Sequence, residues 1–115
     1  MKRLLIAGVL GLAATAALAE YTGPSAVPAM TVKQLLETGV DDQYATLQGR
    51  LVSHEGGKHY TFADDTGQLR VEISPKRLPA GQPLDAKTRV EITGEFDKDF
   101  GEPPELEVEQ IKILP

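Results

Sequence analysis

The stretch HYTFADDTGQLRVEIS, residues 59–74, decides the fold, because apolar side chains alternate with polar ones on both sides of a turn. The positions predicted to face inward are Tyr60, Phe62, Leu69, Val71 and Ile73. Between the two halves, Asp64-Asp65-Thr66-Gly67 is typical of a tight turn in which Gly67 adopts a positive φ. The stretch therefore predicts a β-hairpin with one apolar face.

Three further segments, residues 44–54, 89–97 and 105–114, show the same period of two. Their predicted inward residues are Leu47, Gly49, Leu51, Val90, Ile92, Gly94, Phe96, Leu106, Val108, Ile111 and Ile113. In the first segment, the residues predicted to face outward are Thr46, Gln48, Arg50 and Val52. The inner set of the last segment changes phase, which predicts a β-bulge near Glu109-Gln110.

A short helix precedes these strands. Thr31 and Gln34 have the spacing of a capping box, and Gly39 predicts a left-handed end to a helix over residues 31–38. Residues 20–30 contain two prolines and no apolar period, so we interpret them as an extended arm. Residues 75–87 contain three prolines and allow one helical turn at most.

The element order is helix-β-β-β-loop-β-β. Five short strands with one apolar face each close best as a small barrel, and glycines inside strands mark the sharp bends. The sequence therefore predicts an all-β protein: a five-stranded OB-type barrel over residues 31–115, with the short N-terminal helix capping one end. An SH3-like barrel is the alternative.

The first nineteen of the 115 residues differ from the rest. A cationic Met1-Lys2-Arg3 precedes residues 4–19, which hold 13 apolar residues out of 16 and no charge. Ala17-Leu18-Ala19 is typical of a signal-peptidase site, so we predict a Sec-type signal peptide over residues 1–19, cut between Ala19 and Glu20. A retained N-terminal anchor is the alternative; after cleavage no membrane span is expected.

The chain that would remain, residues 20–115, is acidic. Removing Lys2 and Arg3 leaves 10 basic residues against 17 acidic ones, a net charge of 10 − 17 = −7. The absence of cysteine excludes disulfides, zinc–thiolate sites, iron–sulfur ligation and a cysteine nucleophile. An acidic exported domain is held together by packing alone.

The chain resembles a known family in six segments: residues 21–24, 31–36, 47–52, 60–67, 69–73 and 90–99. The most specific piece is Phe62-x-Asp64-x-Thr66-Gly67 leading into Val71-Glu72-Ile73. Together they resemble the bacterial OB-fold (BOF) proteins, the YgiW/YdeI-type stress-tolerance family. The resemblance implies a periplasmic barrel with its helix on the N-terminal side, a role in stress tolerance, and no enzymatic activity. Members often carry a tryptophan where this chain has Arg77-Leu78.

Two surfaces are candidate binding sites. OB barrels bind ligands on the outer face of the first three strands. In this chain that face would present Gln48, Arg50, His59, Thr61, Arg70 and Glu72. The alternative is a solvated face on which Glu72 is the cross-strand partner of the arginines. The second surface holds six carboxylates in thirteen residues: Asp97, Asp99, Glu102, Glu105, Glu107 and Glu109. It would attract cations, although charges on an edge strand also prevent aggregation.

Other chemistries find little support in the sequence. Nucleic acid requires exposed aromatic platforms and a basic groove, whereas Tyr60 and Phe62 are expected inside an acidic barrel. His54 and His59 could face each other across the Gly56-Gly57 turn, but two imidazoles are too few for a closed zinc site. We therefore expect no metal site, no cofactor and no catalytic residues.

The sequence thus predicts a periplasmic OB-fold binding module for envelope stress tolerance, which binds small cationic ligands or cationic peptides. A structural protein that docks an outer-membrane protein is the second hypothesis, and a single-stranded nucleic-acid binder is the third. The sequence sets no oligomeric state.

Overall fold

A computed structural model describes residues 27–115, so the predicted signal peptide and most of the predicted arm lie outside the described residues. The elements in chain order are α1 (Val32–Thr38), β1 (Tyr44–Gly56), β2 (His59–Asp64), β3 (Gly67–Glu72), a 3-10 turn (Pro75–Arg77), β4 (Arg89–Asp97) and β5 (Glu105–Ile113). This order confirms the predicted sequence of one helix and five strands. Within residues 27–115, no helix has the length and apolarity that crossing a membrane requires.

The five strands form a closed barrel in the order β1-β2-β3-β5-β4. The long strand β1 pairs with β4 through residues 44–50 and with β2 through residues 50–56, so it belongs to both halves of the barrel. Closure comes from a parallel pairing in which residues 70–72 of β3 lie beside residues 105–107 of β5. The predicted all-β barrel with one short helix is confirmed.

The core follows the predicted alternation. Its largest fully buried side chains are Phe62, Phe96, Leu35, Leu47, Ile73, Ile92, Leu106, Val32, Val71 and Val90. Thr93 pairs with Gln110 and Gly94 with Val108, which leaves Glu109 as the extra residue of the predicted bulge. A Cβ on Gly94 would lie 2.2 Å from the carbonyl oxygen of Glu107, so glycine is required there.

The helix begins with the predicted capping box, in which the Gln34 N–H donates to Thr31 and the Thr31 N–H donates to Gln34. The prediction for Gly39 is wrong, because its φ is −68°. Glycine is needed for space instead: a Cβ would lie 2.4 Å from the Leu35 carbonyl oxygen and 2.9 Å from Cε2 of Phe96. Gly67 is not among the described residues with a positive φ either, so it does not use the left-handed conformation expected of it in the turn.

The first described residues cover part of β1. The Met30 N–H donates to the Thr46 carbonyl at 2.9 Å, and the Thr46 N–H donates to the Pro28 carbonyl at 2.9 Å. The Thr46 hydroxyl lies 2.9 Å from that of Thr93, and Thr46 is only 8% exposed. Thr46, which was predicted to lie on the outer face, is therefore buried, because a segment earlier in the chain covers it.

Candidate binding surfaces

The structure divides the predicted strand face. His59 is opposite Glu72, and Thr61 is opposite Arg70, so these four residues lie together on β2 and β3. The other two lie on β1: Gln48 donates to Glu91 of β4 at 3.0 Å, and Arg50 is opposite both Arg89 of β4 and Ala63 of β2. Four of the six residues therefore lie together on β2 and β3, Gln48 contacts β4, and Arg50 lies between these two groups.

Glu105 connects the β2–β3 residues to β5. One of its carboxylate oxygens accepts from Nε of Arg70 at 3.1 Å and lies 3.0 Å from Nδ1 of His59. Glu72 pairs instead with Nζ of Lys58 at 3.3 Å. The interpretation of Glu72 as the partner of the arginines is wrong, because the parallel β3–β5 pairing places Arg70 opposite Glu105. We call His59, Glu72 and Glu105, with Lys58 and Arg70, the Glu105 cluster.

Thr61 makes a separate contact on the same side. Its hydroxyl donates to the carboxylate of Glu55 at 2.8 Å, and the hydroxyl of Ser53 donates to the same oxygen. These two hydrogen bonds, that from Ser53 first, lower the pKa of Glu55 below its ordinary value. The end of β1 therefore adds a second stabilised carboxylate beside Arg70.

A belt of carboxylates runs along β4, β5 and the adjoining loops. We call it the acidic belt and define it as Asp41, Asp42, Glu95, Asp97, Asp99, Glu107 and Glu109. Glu95 is opposite Glu107, and carboxylate oxygens of Asp41, Asp97 and Asp99 lie within 4.8 Å of one another. The belt thus contains four of the six predicted acidic residues.

The other two predicted acidic residues behave differently. Glu105 forms an ion pair with Arg70 and contacts His59, and Glu102 is exposed in the β4–β5 loop. The alternative that these charges protect a sheet edge is wrong for Glu105 and Glu107, because β5 is paired with both β3 and β4 there. Protection of an edge therefore does not explain these two carboxylates.

Two carboxyl groups of the acidic belt, those of Glu95 and Asp97, have raised pKa values. Partial desolvation, then a hydrogen bond to Asp42 and repulsion from it, raises the pKa of Glu95 above its ordinary value. Partial desolvation and the nearby Asp99 likewise raise the pKa of Asp97. The ion pairs of the described residues use Glu72, Glu91 and Glu105, and none involves the belt. No ion pair of the described residues therefore compensates the charge of the belt. The nearest basic residues are Lys98, between Asp97 and Asp99, and Lys58, Lys76 and Arg77, which line one pocket with Glu107 and Glu109.

Exposed apolar side chains lie beside the same carboxylates. Within residues 27–115, the exposed large hydrophobic residues are Val40, Tyr44 and Phe100, of which Phe100 is 105% exposed. Val40 precedes Asp41 and Phe100 follows Asp99, while the Tyr44 hydroxyl donates to Glu109 at 2.8 Å. That hydrogen bond is the main reason why the pKa of Tyr44 is raised. The sequence analysis missed these residues, although apolar side chains within an acidic loop were a usable signal.

A groove of about 440 Å³ lies between the β1–β2 hairpin and the β3–β4 loop. Tyr60 stacks on His54 there, with ring centroids 4.4 Å apart, so it is half-buried rather than inside the barrel as predicted. Nε2 of His54 lies 2.8 Å from the Gly57 carbonyl oxygen. The idea that His54 faces His59 is wrong, because His59 extends toward Glu105.

Comparison with known proteins agrees with this geometry. A family model described as "Bacterial OB fold (BOF) protein" matches residues 11–113. The calcium-regulated OB-fold protein CarO of Pseudomonas aeruginosa is 36% identical over 116 residues, which cover 99% of this chain and 97% of that protein. Neither this name nor that of the Escherichia coli relative YgiW records an enzymatic activity.

Solved structures show the same architecture. The structure of the hypothetical protein ygiW from E. coli superposes with a TM-score of 0.71 at 35% identity, covering 82% of this chain and 97% of that one. The telomere capping protein Ten1 of Saccharomyces pombe has a TM-score of 0.58, 14% identity and coverage of 76% and 80%, a likeness of fold alone. The OB-type barrel is therefore shown rather than the SH3-like alternative, and the chain belongs to the bacterial OB-fold (BOF) family.

Proposed function

We propose that this chain is a non-catalytic binding module whose acidic belt binds cationic amphipathic peptides. One observation carries the proposal: every exposed large hydrophobic side chain of the described residues lies next to carboxylates of the belt. Carboxylates alone would attract any cation, whereas an apolar contact beside them favours a ligand with both basic and apolar groups.

The arrangement at one end of the belt supports this preference. Asp41, Asp97 and Asp99 converge, and the apolar side chains of Val40 and Phe100 flank them. Lysine or arginine side chains of a peptide would pair with the carboxylates while an apolar residue packs against Phe100. Binding would also relieve the repulsion from Asp99, which together with partial desolvation raises the pKa of Asp97. The uncompensated charge would speed association over a Debye length of about 8 Å at physiological salt.

The same exposed Phe100 favours a second candidate, docking to an envelope protein. Phe100 would give such a partner an apolar contact next to the carboxylate of Asp99. In that case the belt would orient a basic patch on the partner rather than a free peptide.

We also propose that the protein acts in the periplasm, in tolerance of envelope stress, after a signal peptide has been removed before Glu20. The cationic start and apolar run of residues 1–19 and the family resemblance support this location. The name of the Pseudomonas relative records regulation by calcium, so we include Ca²⁺ among the ligands to be tested.

Titration of the ¹⁵N-labelled protein, followed by amide NMR at physiological salt, tests the proposal. The probes are a synthetic peptide with alternating lysine and leucine, a polyamine, and Ca²⁺. We expect saturable shifts with the peptide at residues 40–44, 95–100 and 107–109, and weaker ones with the polyamine. Phe100→Ala should weaken peptide binding roughly tenfold while leaving polyamine binding unchanged, because only the apolar contact is lost.

Charge variants provide the matched comparison. Asp97→Asn with Asp99→Asn should weaken binding of both peptide and polyamine by roughly three- to tenfold at low salt. The control pair, Glu37→Gln with Asp65→Asn, removes the same charge outside the belt and should change affinity little. Equal losses in the two pairs would show that net charge alone attracts the peptide. A flat response to every probe would reject peptide binding in favour of the envelope-protein candidate.

A further inference from the structure

We propose that His59, Glu72 and Glu105 form a binding site for a divalent transition metal ion of the zinc type. The three residues each offer one ligand atom, and these atoms all lie within 4.8 Å of one another. The site uses none of the residues of the acidic belt, although it adjoins the belt: Glu107 is opposite Glu72, and Asp97 is opposite Glu105. A metal site here goes beyond the proposed peptide binding.

The donors are held by three adjacent strands. His59 of β2 is directly opposite Glu72 of β3, and Glu105 of β5 is opposite Arg70, two residues before Glu72. The side chains are 36%, 25% and 20% exposed in the order His59, Glu72, Glu105. Donors on paired strands are positioned more rigidly than donors on loops, which lowers the cost of gathering them around an ion.

The donor set distinguishes between metals. One imidazole nitrogen and two carboxylate oxygens suit Zn²⁺ and its neighbours in the first transition series. Ca²⁺ takes six to eight oxygen ligands and has no preference for imidazole, so this set fits it poorly. Three protein ligands would leave a coordination position open to water or to another ligand.

In the described structure, two basic side chains already form ion pairs with the two carboxylates of the site. Arg70 pairs with Glu105 and Lys58 with Glu72, and their side chains are 49% and 53% exposed. Exposed ion pairs contribute little to stability, and long side chains can turn toward solvent. A divalent ion would therefore displace two weakly held cations and balance the two carboxylates.

The composition of the chain makes the test direct. The chain has no cysteine and two histidines, so His54 provides a matched control for His59. The protein is purified from expression of the full chain without a histidine tag, and ZnCl₂ is titrated in a calorimeter. We expect one Zn²⁺ per chain, and weaker or no binding of Ca²⁺ at this site.

His59→Ala and Glu105→Gln should each raise the Kd for Zn²⁺ by at least about tenfold, as expected when a site loses a ligand. His54→Ala should leave the Kd unchanged, as should Glu109→Gln in the belt. If His59→Ala does not fold, as judged by circular dichroism, Glu72→Gln tests the same site with an isosteric side chain. Absence of Zn²⁺ binding, or an equal loss in His54→Ala, would overturn the proposal. Peptide binding at the belt is measured separately, so either proposal can fail alone.

Discussion

Replacing Asp64 with asparagine tests how the helix is fixed to the barrel. Oδ2 of Asp64 accepts from the N–H of Val32 at 2.9 Å, which anchors the first turn of α1 to the end of β2. Oδ1 accepts from the N–H of Thr66 at 2.8 Å, from its hydroxyl at 2.6 Å, and from the N–H of Gly67 at 3.2 Å. One carboxylate therefore holds both the β2–β3 turn and the helix.

Asp64→Asn separates these two roles. The amide oxygen can keep the bonds of the turn, but the amide nitrogen would face the N–H of Val32, so two donors would meet. The loss is one hydrogen bond to a charged group, for which about 1.5–3 kcal/mol is typical. Because Asp64 is partly exposed, we expect the lower end, about 1.5–2 kcal/mol, and a fall in Tm of roughly 10 °C for a domain of this size.

The pH dependence gives a second signature. Burial alone would raise the pKa of Asp64, but the bonds from Thr66, Val32 and Gly67 hold it below its ordinary value of 3.8. A carboxyl group with a lowered folded-state pKa stabilises the fold fully above its unfolded pKa, and this contribution disappears as pH falls through the lower value. The difference between wild type and Asp64→Asn should therefore be full at neutral pH and shrink below pH 3.8.

Urea unfolding followed by circular dichroism measures these free energies. Asp65→Asn is the control, because Asp65 lies next in the chain and is exposed. If Asp64→Asn unfolds at the same urea concentration as wild type, or Asp65→Asn loses as much stability, the anchoring role is wrong.

Two further perturbations follow from the packing and the charge. Gly39→Ala should destabilise the protein by roughly 1–3 kcal/mol in thermal unfolding, because its Cβ would overlap the Leu35 carbonyl and Phe96. Gly67→Ala should be tolerated, since its Cβ would meet only Cγ1 of Val32, at 3.5 Å, and equal losses would refute the steric argument. Asp97→Asn should raise the Tm slightly at neutral pH and low salt, because partial desolvation and repulsion from Asp99 disfavour the charged carboxylate in the folded state and raise its pKa. That gain should vanish as pH falls through the raised pKa and should shrink as added salt screens the repulsion, and a lower Tm at neutral pH would contradict it.

Local patterns predicted most of the fold. The alternation in β4 predicted its bounds as Arg89–Asp97, and the phase change in β5 predicted a bulge near Glu109-Gln110, where the structure has Glu109 as the extra residue. The capping box located the start of α1 at Thr31. These features depend on residues close together in the chain, so a single sequence contains them.

Features that depend on distant parts of the chain were missed. Gly39 is glycine because Phe96 packs against it, and Thr46 is buried because residues 28–30 cover it. Arg70 pairs with Glu105 across the parallel β3–β5 junction, a contact between residues 35 positions apart. Alternation shows which face a side chain takes, but it does not show which strand lies beside it.

In the candidate surfaces too, the parts that are close in sequence were predicted and the parts that depend on distant contacts were missed. The run from Asp97 to Glu109 was visible as a cluster of charge, and four of its six members lie in the acidic belt. Asp41 and Asp42 join them because the N–H of Asp42 donates to the Phe96 carbonyl at 2.8 Å and the N–H of Lys98 donates to Asp41 at 2.9 Å. Residues 41–42 and 96–98 are therefore brought together by tertiary hydrogen bonds, which no local sequence motif predicts.

The short parallel junction between β3 and β5 determines where the barrel is weakest. It pairs three residues of each strand, whereas β4 and β5 pair over almost their whole length. Parallel pairs are slightly less stable per residue, and short junctions open most readily, so hydrogen exchange should begin there. The ion pair between Arg70 of β3 and Glu105 of β5 links the two strands on the outer surface of the barrel. A ligand that binds to both strands would cross-link them and stabilise the junction. Its binding should therefore slow amide hydrogen exchange throughout the barrel.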